Sequence, residues 1–328
     1  MLTLSNCNNP NQNIPIEANN LEIPLTNTQV NIIKITSSPE TYNNSASSTL
    51  KQTQIIETQF PANNNCLLYE NDWCIYPGHF VLDQPVPNYS NNKVDATYCY
   101  GSTQGGLRET HHGVEFINPY GTPVLAASNG EVVYSGMDDE KTFGPYPNFY
   151  GNLVIIEHFN LDDNPIFTLY GHLSEIKVET GQSVISGQKI GEVGVSGAAI
   201  GSHLHFEVRV GNNTYLNTEN PELWLKLKPF PLSHNTMGAL AITFPDSKQG
   251  IDSQPVKLEH QTIDHFVFFA ETYANNTPRS AKWNEIFTMA NLTPGFYRVT
   301  LYIDGDFYEF HPLIKPGSLT LATINNYK

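Results

Sequence analysis

With 328 residues the chain is long enough for about two domains with cores of their own. A net charge of −15 and a pI near 5.0 argue against nucleic acid or an anionic membrane surface as partner. No apolar run is long enough to span a bilayer, and the opening MLTLSNCNNP carries neither the basic nor the apolar part of a secretory signal. Such a signal has been removed, lies outside this chain or never existed.

Residues 1–58 are rich in Asn, Thr, Ser and Gln and show no sustained apolar period, so this segment is predicted to be a flexible leader. The fragment LSNC is faintly similar to a lipoprotein processing site around Cys7, without the apolar segment that should precede it. The four cysteines are Cys7, Cys66, Cys74 and Cys99, with no C-x-x-C pair. One or two disulfides are therefore expected rather than a zinc knuckle, which points to an exported, secreted or cell-envelope protein. Free buried thiols in a cytosolic protein are the alternative.

Residues 59–231 are dense in Gly, Val, Ile, aromatics and histidine. The short runs TPVLAAS, GEVVYSG, NLVIIEHF, IFTLYGHL, QKIGEVG and LHFEVRV are punctuated by Gly, Asn and Pro. That spacing predicts an all-β, antiparallel domain with almost no helix. In residues 232–328, FYRVTLYID and SLTLATI alternate again between TPG and DGD turns, which predicts a second, smaller β-sandwich.

Six of the eleven histidines (His111, His112, His158, His172, His203 and His205) fall in the middle segment. In HLHFEVRV, Leu204, Phe206 and Val208 share one parity and His203, His205, Glu207 and Arg209 the other. Both imidazoles then look the same way, roughly 7 Å apart at the backbone, as two groups acting on one small object would. A polar, solvated strand face is the simpler alternative. His111 and Glu115 would lie about 13 Å apart on a straight strand. Gly113 between them permits a bend that brings the two side chains together, so the pair can serve as a two-ligand unit. A hydrolytic zinc site needs three such protein ligands.

In order along residues 108–225, HHGVEF, GTPVLAASNGEVVYSG, LYGHLS, VETGQSVISGQKIGEVGVSGAAIGSHLHFEVR and NPELWL resemble the motifs of the lysostaphin-type, LytM-like zinc metallopeptidases. The resemblance implies a LytM-like antiparallel fold (duplicated hybrid motif) holding one zinc ion per chain. It places His111, Glu115 and His205 at the zinc-ligand positions. His203 and His172 take the positions of the two catalytic histidines, with His203 suggested as base. The implied activity is zinc-dependent hydrolysis of peptide bonds in bacterial peptidoglycan cross-links, with peptidoglycan or another peptide as the binding partner. Glu115 departs from the aspartate usual in the family. One extra methylene displaces the carboxylate by about 1.5 Å. That departure leaves a rival reading open, a non-enzymatic LytM-like module that binds the wall or a partner protein. In this family a leader can also lie across the groove, and loops such as MDDEKTFGPYPNFYGN build its walls.

His112 occupies a variable position of the motif and is expected to be solvated or hydrogen-bonded in a loop, while His158 is expected to cap a strand end. His79, His234, His260, His265 and His311 carry no motif. The V-x-x-G-x-x-V hammerhead also occurs in biotinyl and lipoyl carrier domains. A carrier needs a lysine at the hairpin tip, whereas this chain continues into Gly-Val-Ser-Gly and the paired histidines. The C-terminal LTPGFYRVTLYID resembles prealbumin-like or carboxypeptidase-regulatory-like sandwiches, and no ligand-binding cluster is visible in it.

Overall fold

The computed structural model describes residues 67–69, 73–77, 80–139, 141–159, 161–228, 236–244, 253–263, 266–303 and 305–324. The leader, Cys7, Cys66, His79, His234 and His265 lie outside them. Among the described residues the chain is all-β, with two single-turn 3₁₀ segments, Tyr215–Asn217 and Pro221–Leu223, and no α-helix.

The middle segment forms two sheets. In the larger, the strands run in the order Thr218–Glu219, His203–Val210, Ile166–Gly171, Asn152–His158, Gly130–Met137, Ser183–Val184, with Val114–Ile117 also paired to His203–Val210. The smaller sheet joins Pro123–Leu125, Lys189–Val193 and Leu173–Ile176. All pairings in both are antiparallel. Val114, Phe116, Val124, Ile156, Tyr170, Ile190, Leu204, Phe206 and Val208 fill one core of this region. Phe143, Tyr150, Leu153, Ile155 and Leu169 pack a second, smaller cluster. The centre of His203–Val210 is thus buried on both faces, and its polar parity is enclosed rather than solvated.

The C-terminal segment contributes two further sheets, one ordered Leu67–Tyr69, Trp73–Pro77, Ser318–Thr323, Gly238–Thr243, Glu285–Leu292 and the other Val267–Glu271, Pro255–His260, Gly295–Ile303, Asp306–Phe310. Gly238–Thr243 pairs in parallel with Ser318–Thr323, and the other pairings are antiparallel. Strand GALAIT is buried throughout, and its alternation explains how the two regions join. Ala239 and Ala241 face the core of the middle segment, while Leu240 and Ile242 face the core between the two C-terminal sheets. Small side chains on one parity let one sheet approach closely. Large ones on the other fill the sandwich. Trp73–Pro77, read from sequence as part of segment 59–231, is built into the C-terminal sheet instead. It pairs with Ser318–Thr323, and Trp73 and Ile75 enter the sandwich core.

Cys74 and Cys99 are both disulfide-bonded. His158 is held at the strand end by Asn129 O at 2.9 Å and Thr168 Oγ1 at 2.8 Å, the structural role its position suggested. His112 is not solvated. It is buried and hydrogen-bonded, the other of the two settings expected for it, with Nδ1–H donating to Tyr215 O at 2.9 Å and the ring stacked on Tyr215 at 3.9 Å.

Candidate metal centre

Register assembles the cluster. His205 lies directly opposite Glu115 on one neighbouring strand and Gly171 on the other. A directly opposed antiparallel pair brings its Cβ atoms to about 4.5–5.5 Å, so Glu115 and His205 share one spot without further adjustment. Gly113 forms a bend just before Val114–Ile117 and returns His111 to the same place. Its lack of a side chain is required by close approach. A Cβ here would sit 2.6 Å from Phe206 O and 2.8 Å from His205 Nε2. His172 follows Gly171 with φ of +62°, a left-handed conformation that few residues other than glycine adopt, histidine among the more frequent of them, and one that clusters at functional sites.

His111 Nε2 lies 3.2 Å from His205 Nδ1 and 3.8 Å from Glu115 Oε1, and ligand atoms from the three residues all fall within 4.8 Å of one another. His203 Nε2 is 3.4 Å from Glu115 Oε1. The His172 ring centroid is 4.8 Å from that of His203 and 5.6 Å from that of His205. The four imidazoles and the carboxylate are all buried.

Hydrogen-bond partners assign the tautomers. His111 Nδ1–H donates to Tyr98 O at 2.7 Å and is within 3.3 Å of Cys99 O. His172 Nδ1–H donates to Ser196 O at 2.9 Å, and His203 Nδ1–H to Gly201 O at 3.0 Å. His205 is reversed, because Nε2–H donates to Glu207 Oε1 at 3.0 Å. The opposite nitrogen of each ring therefore carries a lone pair. His111 Nε2 and His205 Nδ1, 3.2 Å apart, are both acceptors and cannot hydrogen-bond each other. Two lone pairs and a carboxylate oxygen in a dry pocket repel unless a cation lies among them. With zinc–nitrogen bonds of about 2.0–2.1 Å in a tetrahedral arrangement, the donor atoms should be separated by about 3.4 Å. The observed 3.2 and 3.8 Å suit that, and the donor set fits zinc.

Burial sets the protonation of the cluster. Desolvation, with the neighbouring His205 as the second cause, holds His111 and His172 well below the usual imidazole range and His203 down to about 4. Burial also raises Glu115, partly offset by His205 and Arg108. Neutral imidazoles are the form that binds metal or accepts a proton. His203 Nε2 is buried with no hydrogen-bond partner among the described residues, an orphaned base beside the cluster. On its outer side His111 stacks on Tyr98 at 4.0 Å and 7°, and the Arg108 guanidinium lies 3.9 Å from the same ring centroid.

The structure therefore brings together all five residues singled out by sequence. Sequence reasoning did not assign a role to Glu207, Arg209 or Tyr150, which back His205 from within the sheet. The signal available was parity, because Glu207 and Arg209 share the face of the two histidines.

The profile of peptidase family M23 matches residues 109–218. Peptidoglycan DD-endopeptidase ShyC of Vibrio cholerae serotype O1 is 37% identical over 118 residues, 36% of this chain and 24% of that protein. ShyA, a peptidoglycan DD-endopeptidase of the same organism, is 41% identical over 100 residues, 30% of this chain and 20% of that protein. The chain thus spans less than a quarter of the length of these curated relatives. Among solved structures, the catalytic domain of the antimicrobial peptidase lysostaphin from Staphylococcus simulans is 31% identical. That match covers 38% of this chain and 86% of that one, with a TM-score of 0.32.

Proposed function

We propose, from the premise that residues 109–218 of this chain are a peptidase family M23 domain, that the protein is a zinc-dependent endopeptidase cleaving peptide bonds in bacterial peptidoglycan cross-links. The observation that carries this reading is the convergence of His111 Nε2, His205 Nδ1 and Glu115 Oε1 as three electron-pair donors in a buried pocket. Those residues would hold the ion. Zinc, when bound, supplies Lewis acidity at the scissile carbonyl and lowers the pKa of water toward about 7.

The chain's own groups do the proton work. His203, held by Gly201 O with a bare Nε2, takes a proton from the attacking water and returns it to the leaving amine. His172, likewise left basic at Nε2 by its bond to Ser196 O, takes up a proton from solvent as the oxyanion's negative charge develops and donates a hydrogen bond to that oxygen. The enclosing sheet faces exclude bulk water, which strengthens each of these interactions. The disulfide-bonded Cys74 and Cys99 support a secreted or cell-envelope location. In the domain organisation we propose, residues 59–231 carry the chemistry, apart from Leu67–Tyr69 and Trp73–Pro77, which join residues 232–328 in a stabilising or wall-positioning sandwich.

Glu115 favours a second reading, a retained scaffold that binds the wall without cleaving it. Against that reading, the longer arm places Oε1 within 3.8 Å of His111 Nε2, and all four histidines keep their partners. Digestion of purified peptidoglycan, with mass spectrometry of the fragments, decides between them. Cleaved cross-links that disappear on chelation support the enzyme. Wall binding without fragments from zinc-loaded protein supports the module.

A further inference from the structure

We propose that Glu207, Arg209 and Tyr150 form a buried positioning device that fixes the His205 imidazole as the one tautomer able to bind metal through Nδ1. The role rests on reading the cluster as a zinc site, but its geometry is independent of any ion. Glu207 and Arg209 are both 0% exposed, an arrangement sustained only when charges are paired and hydrogen-bonded. Glu207 Oε1 accepts from His205 Nε2–H at 3.0 Å and from the Tyr150 hydroxyl. Glu207 Oε2 accepts from Arg209 Nε at 2.8 Å and forms an ion pair with Arg209 Nη2 at 2.7 Å. Oε1 thus meets two donors, while Oε2 meets one donor and the guanidinium charge, an arrangement that holds the carboxylate in its ionised, acceptor-only form.

Arg209 is fixed in turn. Its guanidinium donates to Phe143 O at 3.0 Å, to Asn213 Oδ1 at 3.1 Å and to the Tyr150 hydroxyl at 3.2 Å. Tyr150 and Phe143 belong to the loop between Gly130–Met137 and Asn152–His158, so the same guanidinium ties that loop to the strand carrying His205. Tyr150 accepts from Arg209 and therefore has its own hydrogen available for Glu207. Tyr150 Oη and Arg209 Nε both donate to the carboxylate, and an ionised carboxylate can only accept from His205. The ring is held with its hydrogen at Nε2 and its lone pair at Nδ1, facing His111 and Glu115. An accepting carboxylate behind a ligating histidine also makes that ligand more basic.

The test reads the tautomer directly. Metal-free wild-type protein, labelled with nitrogen-15 at histidine, should show His205 as the Nε2–H tautomer by two-bond nitrogen–proton correlation. In Glu207→Gln the side-chain oxygen must face the Arg209 donors, which turns the amide NH₂ toward His205. The ring should then carry its hydrogen at Nδ1, and zinc affinity, measured by competition with a chromophoric chelator, should fall by about 10–100-fold. A purely structural role would lower the melting temperature and leave the tautomer unchanged. Wild-type His205 found as Nδ1–H overturns the proposal, and so does a Glu207→Gln protein with wild-type tautomer or wild-type zinc affinity. If Glu207→Gln fails to fold, the wild-type tautomer alone decides. An Nε2–H His205 in wild-type protein that takes up no zinc overturns the zinc reading of the site, not the hydrogen-bond network.

Discussion

Replacing Glu115 by aspartate restores the residue usual in lysostaphin-type enzymes, and the geometry here argues that it weakens the site. The Cα of residue 115 is fixed by its pairing opposite His205, inside a four-residue ladder from His203↔Ile117 to Phe206↔Val114. Glu115 Oε1 already lies 3.8 Å from His111 Nε2, slightly beyond the separation of about 3.4 Å expected for two donors on one tetrahedral zinc. Removing a methylene withdraws the oxygen by about 1.5 Å, leaving it as far as about 5 Å from that nitrogen. Backbone movement cannot easily recover the distance. Gly113 packs against Phe206 O with no room for even a methyl group, so the strands cannot slide together there. Glu115→Asp should therefore lose at least about 10-fold in zinc affinity, the lower end of what disturbing a metal site's supports produces. Competition against a chromophoric chelator at neutral pH measures it. An aspartate variant that binds zinc as tightly as wild type, or more tightly, would refute the argument that this backbone has adapted to glutamate.

The two histidines of the central strand should separate by role. His205→Ala should lose zinc and activity together, whereas His203→Ala should retain zinc and lose about 10²–10⁴ in rate; equal zinc loss in both, by metal analysis, would contradict the division. Gly113→Ala should destabilise the protein by about 1–3 kcal/mol through overpacking and weaken metal binding, read as a fall in melting temperature and chelator competition. Glu222 and Glu285 are pushed by burial up to about 7 and about 8. Above the ordinary carboxyl pKa of about 4.5 the unfolded chain releases these protons while the native state keeps them. The stability they contribute is thus fully present below about pH 4.5 and lost as pH rises through the native values, with a slope of up to about 1.4 kcal/mol per pH unit per group. Glu285→Gln should flatten that slope in denaturation series between pH 5 and 9, and an unchanged slope would show that Glu285 is ionised in the native state.

Period-two alternation was sufficient to place His203 and His205 on one face of a strand, and the structure has them there. Alternation says nothing about what covers a face. The polar parity of this strand is buried because Tyr150 and Phe143 close over it and Arg209 and Glu207 neutralise each other, contacts distant in sequence. Gly113 was legible as a bend, but the tighter constraint, its contact with His205, depends on the pairing partner. The same limit applies to Trp73–Pro77. Its apolar residues mark a strand, yet its partner Ser318–Thr323 lies at the far end of the chain, and long-range pairing leaves no local trace. His112 is hydrogen-bonded in a loop as expected, but its burial could not be read locally, since it depends on Tyr215 folding back over it.

The central claim is that His111, Glu115 and His205 together hold one catalytic zinc ion. Metal analysis of protein reconstituted with zinc at neutral pH and freed of excess tests it most directly. Wild-type protein should hold about one zinc per chain, and His205→Ala should show a steep loss. Folded wild-type protein that stays metal-free after reconstitution, or a His205→Ala protein that retains full stoichiometry, would contradict it.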